Sequence, residues 1–408
     1  MSSAIFVGLT TVLGGLTQLD SMLSTYTAWS ISHGDVACAY PWGSSVYFPL
    51  TAPLYPLTTA GLVVLFGVGH GVAFPLRATL GPRCLKWLAP ITHWSVRAGA
   101  LSPTLRFGYV GWIVLMIGAI MVLRASGRGR CGWEPLTLVA LACTPPIFMC
   151  LQYLFHPQDL MAMGLILIGL AFARRERWMI AGVVMGLAFT SQQFALLAIV
   201  PLAVLAPSRR RPSYIFGVIA TVAVFVVPLA LLTSGRALRV ALVGSGLSGS
   251  QTGSFTSELH VTSPLMLGLW RMLPILAAFG VAFWAMRRLH SGALEPVPLL
   301  SIIATSLSFR LVFDEGLYGY YFMAVAVCLV LLDILNRKFR IQLIGWLAMV
   351  VLVFDPLPWG YNHLTNSLHM WIWQLILIPP AVALAVSPLA KLIAAQRPTA
   401  SVAKSEIG

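Results

Sequence analysis

Only 12 acidic residues occur in this 408-residue chain, against 26 Lys and Arg, so each carboxylate can be weighed singly. Glu134, Glu176, Glu295, Asp333 and Glu406 stand among basic loop residues or in the C-terminal tail, where loop charge accounts for them. Asp20, Asp35, Asp159, Glu258, Asp314, Glu315 and Asp355 stand at or near the opposite ends of the apolar runs. A carboxylate beside hydrocarbon is costly, so it either marks a helix end or has chemistry to do. The chemistry open to it is to take a proton from an attacking hydroxyl, and one well-placed carboxylate suffices. Asp20 is the first such residue, in "LTQLDSMLSTYTAWSISHGDVACAYP" (16–41), a stretch without Lys or Arg.

The elements that must position these residues follow from composition. With 58% hydrophobic and 9% charged residues, the chain is no ordinary soluble domain. Apolar runs of about 17–25 residues recur, each long enough for a bilayer core of roughly 30 Å. Period-2 alternation is missing, so the fold class expected is all-α, a polytopic helical membrane protein with about 11–13 transmembrane helices. Candidate spans are 2–19, 54–74, 107–123, 135–154, 158–173, 213–234, 272–286, 297–313, 317–335, 341–357 and 370–390. Residues 1–395 form one transmembrane domain and 396–408 a short cytoplasmic tail. Either 2–19 is a marginal first helix or the chain starts upstream.

The net charge of +14 is carried by short clusters, "ARRERW" (173–178), "PSRRRPS" (207–213), "MRRLH" (286–290) and "NRKFR" (336–340). This is the pattern of cytoplasmic loops and suits anionic lipid. No polar basic domain is present for nucleic acid. The six cysteines (38, 84, 131, 143, 150, 328) have no metal spacing and read as buried small hydrophobes. Between 178 and 206, two short apolar arms flank "TSQQ", and arginines stand at both outer ends. The expected geometry is a hairpin whose tip, Ser191, Gln192 and Gln193, lies within the membrane depth and needs a partner or a water-filled cavity. The outer face then carries the long loops 20–53 and 235–271. The region 75–132 is basic on both sides of its span and does not alternate cleanly.

In the first loop Asp20 is followed by Tyr26, by "SHGDVACAYP" and by "YFPLTAPLYPL" (47–57). This resembles the GT-C superfamily of polytopic glycosyltransferases, and more closely the actinobacterial polyprenyl-phosphate-mannose-dependent mannosyltransferases. Asp20 matches the catalytic aspartate that those families place after the first helix. Tyr26 matches the following aromatic, Gly34 the glycine, and Pro53 to Leu57 the turn, although Tyr55 separates Leu54 from Pro56. Residues 153–197 resemble the second external turn and the short hairpin, with Gln192 and Gln193 where relatives often have a lysine. "FRLVFDEGLYGYYF" (309–322) resembles the late segment, and 235–271 stands where a loop covers the lipid-phosphate donor.

The resemblance implies transfer of a sugar, mannose first, from a polyprenyl-phosphate donor to an envelope glycolipid or glycan. The site would face outward from the plasma membrane. The leaving group is already a good one, so one base, Asp20, suffices, and a single displacement inverts the anomeric centre. Arg310 either meets the donor phosphate or pairs with Asp314 on its own helix face. Arg236, Arg239 and Arg271 bracket the 235–271 loop and either clamp phosphate or snorkel. His156 and Asp159 orient an acceptor, or Asp159 merely suits a helix N-terminus. Asp35 is a further candidate sugar or acceptor contact, and His33, His260 and His363 either bond sugar hydroxyls or are satisfied histidines at the interface. Tyr318, Tyr320, Tyr321, Trp359 and Tyr361 either stack on sugar rings or form an aromatic belt. Asp20, Asp35 and Asp159 show no metal-ligand motif, so metal-independent transfer without a cofactor is expected. The sequence carries no Rossmann fingerprint or phosphate loop, which favours a lipid donor. The alternatives are a transporter or flippase of a lipid-linked precursor, which should show repeat symmetry, and a non-catalytic assembly partner.

Overall fold

The computed structural model describes residues 103–127, 147, 150, 157–232, 264–313, 321–336 and 367–395. Helices dominate the described residues, and no strand occurs among them. They are α1 (Pro103–Ala125), α2 (Pro157–Arg174), α3 (Trp178–Ser191), α4 (Leu196–Leu205), α5 (Arg211–Leu232), α6 (Pro264–Leu289), α7 (Pro296–Phe313), α8 (Phe322–Asn336) and α9 (Ser367–Ala395). Short 3-10 turns at Gln193–Ala195 and His290–Leu294 join α3 to α4 and α6 to α7. Within the helices, Met272–Leu289, Pro296–Phe313 and Ile378–Ala395 are long and apolar enough to cross a membrane. The expected spans 2–19, 54–74 and 341–357 lie outside the described residues, as does most of 135–154.

The chain reverses sharply after α2. The Arg177 N–H donates to Phe172 O and the Glu176 N–H to Ala173 O, the paired bonds of a Schellman turn. Glu176 takes the left-handed position at φ 59°, where glycine is usual. Gly169 then lies against Met185 of the returning α3. α4 turns back in its turn and ends where Arg211 donates through Nη2 to Val204 O (3.1 Å) and Ala206 O (3.2 Å), satisfying carbonyls left open at a helix end. α5 therefore runs parallel to α3, with Gly182 against Tyr214 and Gly217, and Gly186 against Val218 and Thr221. Glycines at this spacing let two backbones approach without a hydrophobic driving force. The expected hairpin is present, with both outer ends among arginines.

α1 lies against α2 through Gly118 and Gly164; Gly118 faces Leu167 while Gly164 faces Leu115, so these helices also run parallel. The Arg124 end of α1 thus stands beside the Arg174 end of α2. Arg174 Nη1 in turn donates to Leu294 O (3.1 Å) and meets Glu295 Oε1 (3.4 Å), tying α2 to the start of α7. α7 and α8 form the centre and are buried along almost their whole length. Outward faces of α5 and α6 are apolar, with Phe216, Ile219, Leu231 and Leu276 exposed, as hydrocarbon requires.

Two expectations are corrected. Asp333 is not loop charge: the apolar run carries helix α8 through it and leaves it 4% exposed. The loop expected over 235–271 ends earlier, because α6 begins at Pro264. Proline suits the first helical position, and "LMLGLW" continues an apolar helix from there. Arg271 is thus within a helix of 26 residues, about 39 Å long, whose first turns overrun a core of roughly 30 Å.

Candidate functional site

At the end of the bundle away from the arginine clusters, α2, the α3–α4 tip, α7 and α8 meet. Asp159 lies in the first turn of α2, and Arg310 in the last turn of α7. Each charge suits its own helix end, since the N-terminal dipole favours the anion and the C-terminal dipole the cation. Gln192 breaks the hairpin tip with an extended backbone (φ −160°, ψ 135°). Counting from the arginine end, each of the three lies about four helical turns along, roughly 21 Å at 1.5 Å per residue. Charges at that depth in a core of roughly 30 Å must find partners.

They find each other. Arg310 Nη1 donates to Asp159 Oδ2 at 3.1 Å, and Gln192 Nε2 donates to Asp159 Oδ1 at 2.6 Å. The Gln192 amide has its orientation set from the other side, because its Oε1 accepts from the Gln193 N–H at 3.2 Å. The guanidinium lies over the Tyr321 ring, 3.7 Å from its centroid, and 4.8 Å from that of Phe194. Both stacking contacts favour a cation. Trp270 of α6 donates through Nε1 to Phe313 O at 2.7 Å, closing the end of α7 one turn beyond Arg310. The two charges differ in exposure: the Asp159 side chain has 0% accessible surface and that of Arg310 12%. Anything approaching the pair meets the cation.

A family model for glycosyltransferase family 87 matches residues 99–314, over half of the chain. The chain belongs to glycosyltransferase family 87. It is a membrane glycosyltransferase, which sets aside the transporter and assembly-partner alternatives. No curated protein and no solved structure matches it. The matched part of this glycosyltransferase contains Asp159, Gln192 and Arg310, while Asp20 precedes it and Tyr321 follows it.

Of the residues singled out in the sequence, the structure brings Asp159 and Arg310 together. This pairing spans 151 residues, and the Arg310–Asp314 contact weighed above lies outside the described residues. Arg271 is placed on α6. Asp20, Asp35, His156, Arg236, Arg239, His260, Tyr318 and Tyr320 lie outside the described residues. Tyr321, expected as a sugar platform or belt residue, has a guanidinium over its ring. Phe194 was not singled out, although its place directly after the polar tip residues was a signal. Among the described residues no group of three His, Cys, Asp or Glu stands close enough to hold a metal ion.

Proposed function

We propose that this family 87 enzyme moves a sugar, mannose in the first instance, from a polyprenyl-phosphate donor to a lipid or glycan acceptor of the cell envelope. The reaction takes place at the outer face of the plasma membrane, opposite the cytoplasmic arginine clusters. The observation that carries the reading is Arg310, a cation held within the membrane depth beside a fully buried carboxylate and retaining accessible surface of its own. A phosphate whose tail remains in the bilayer approaches such a cation from the adjoining leaflet, and a guanidinium is geometrically suited to phosphate oxygens.

Asp20 is the base in this scheme. What supports it is the sequence: a carboxylate directly after the first apolar run, in a loop without Lys or Arg, in the order seen in related transferases. It takes the acceptor proton as the hydroxyl oxygen attacks the anomeric carbon, and the lipid phosphate departs from the opposite face with inversion. Asp35, His156, His260, Tyr318 and Tyr320 serve the sugar and acceptor, Arg236, Arg239 and Arg271 the donor phosphate, and no metal takes part.

The test is turnover of decaprenyl-phosphate mannose with a lipid acceptor by purified protein in lipid nanodiscs. Parent activity with near-complete loss in Asp20→Asn supports the scheme. Full activity of that variant removes Asp20 from the mechanism, and absence of turnover with every lipid-phosphate sugar removes the donor class.

A further inference from the structure

The mechanism above uses Arg310 but gives no task to the residues that hold it. We infer that Asp159 and Gln192 are positioning residues that aim Arg310 at an anionic phosphate group, and that Asp159 does not itself contact sugar or acceptor. This rests on the proposed lipid-phosphate donor. Three observations carry it. Both Asp159 oxygens are engaged, by Gln192 and Arg310, and the side chain has no accessible surface, so a ligand has no route to the carboxylate. The guanidinium is held along one edge by that carboxylate and across one face by Tyr321, which restricts its rotation. The Gln192 amide is itself oriented by the Gln193 N–H, so the chain of contacts begins at the backbone of the hairpin tip and ends at the accessible cation.

The order of dependence is therefore tip backbone, Gln192, Asp159, Arg310, phosphate. Such outer groups commonly set how well an inner group binds, because a misdirected donor loses its hydrogen bonds. Gln192 is neutral, and replacing it by Leu leaves the ion pair intact, so Gln192→Leu separates positioning from charge balance. A purely structural Gln192 would alter stability and leave ligand discrimination alone.

The experiment uses the full chain in nanodiscs and two probes, farnesyl phosphate and farnesol, which differ only in the phosphate. Binding is followed by intrinsic tryptophan fluorescence, with donor KM and kcat measured in parallel. The parent should bind farnesyl phosphate in preference to farnesol. Arg310→Gln should abolish that preference. Gln192→Leu and Asp159→Asn should each weaken farnesyl phosphate on the order of tenfold, leave farnesol unchanged, and raise donor KM more than they lower kcat. If Arg310→Gln abolishes the preference while Gln192→Leu binds like the parent, positioning is overturned and the phosphate assignment stands. If Asp159→Asn strengthens phosphate binding, the carboxylate is a competing counter-ion and positioning is again overturned. If Arg310→Gln keeps the parent's preference, Arg310 is not the phosphate site and the donor assignment of that residue fails with it.

Discussion

Replacing Arg310 by methionine should be more damaging than removing both charges of its ion pair. At 3.1 Å and an effective dielectric constant of about 20, the attraction between Arg310 and Asp159 is on the order of 5 kcal/mol, against about 0–1 kcal/mol for a surface pair. Much of that attraction offsets the desolvation of two charges at membrane depth. The loss on breaking the pair is thus larger than the gain on making it. Arg310→Met leaves the Asp159 carboxylate with 0% accessible surface and Gln192 as its remaining described donor, for a cost of about 3–5 kcal/mol. Asp159→Leu with Arg310→Met removes both charges and leaves the Gln192 amide without its partner, at about 1–3 kcal/mol. The double variant should be the more stable by about 2 kcal/mol. Unfolding in mixed micelles titrated with SDS, followed by circular dichroism, measures the difference. If the costs of Asp159→Leu and Arg310→Met simply add in the double variant, the pair is uncoupled and this reasoning is refuted.

Elsewhere in the bundle, Gly182→Ala should drive its new methyl group into Tyr214 O on α5, a backbone atom that cannot swing aside, and cost about 1–3 kcal/mol in the same titration. Glu176→Gly relieves a left-handed residue at φ 59° and should raise stability by about 1 kcal/mol, seen as a later unfolding midpoint. Trp270→Phe keeps the edge-on ring contact with Phe313 (5.8 Å) and loses the 2.7 Å bond to Phe313 O, so about 1 kcal/mol should be lost and the last turn of α7 should exchange amide protons faster.

Among the described residues, much of the helical frame was legible in the apolar runs. The spans expected at 158–173 and 297–313 agree with α2 and α7 to within a residue at each end, because prolines precede them and arginines or aromatics close them. The hairpin was legible for a different reason: arms too short to span, with arginines at both outer ends, leave little choice but to turn back. The demand for a partner at its tip was also readable, since an amide in hydrocarbon requires one. Its identity was not. Asp159 and Arg310 were each noticed, but sequence distance hid that the first turn of α2 and the last turn of α7 share one level. Asp333 was misread because basic neighbours outweighed the apolar run that contains it.

The depth of the ion pair has a consequence for the surrounding lipid. If the arginine clusters rest at one headgroup plane, roughly 21 Å of helix leaves Arg310 some 9 Å short of the opposite plane in a core of roughly 30 Å. An ionised lipid headgroup meets that guanidinium only where the leaflet dips or the protein carries water inward. Shorter acyl chains lower the far headgroup plane toward the cation, so membrane thickness becomes a control on how readily the two meet.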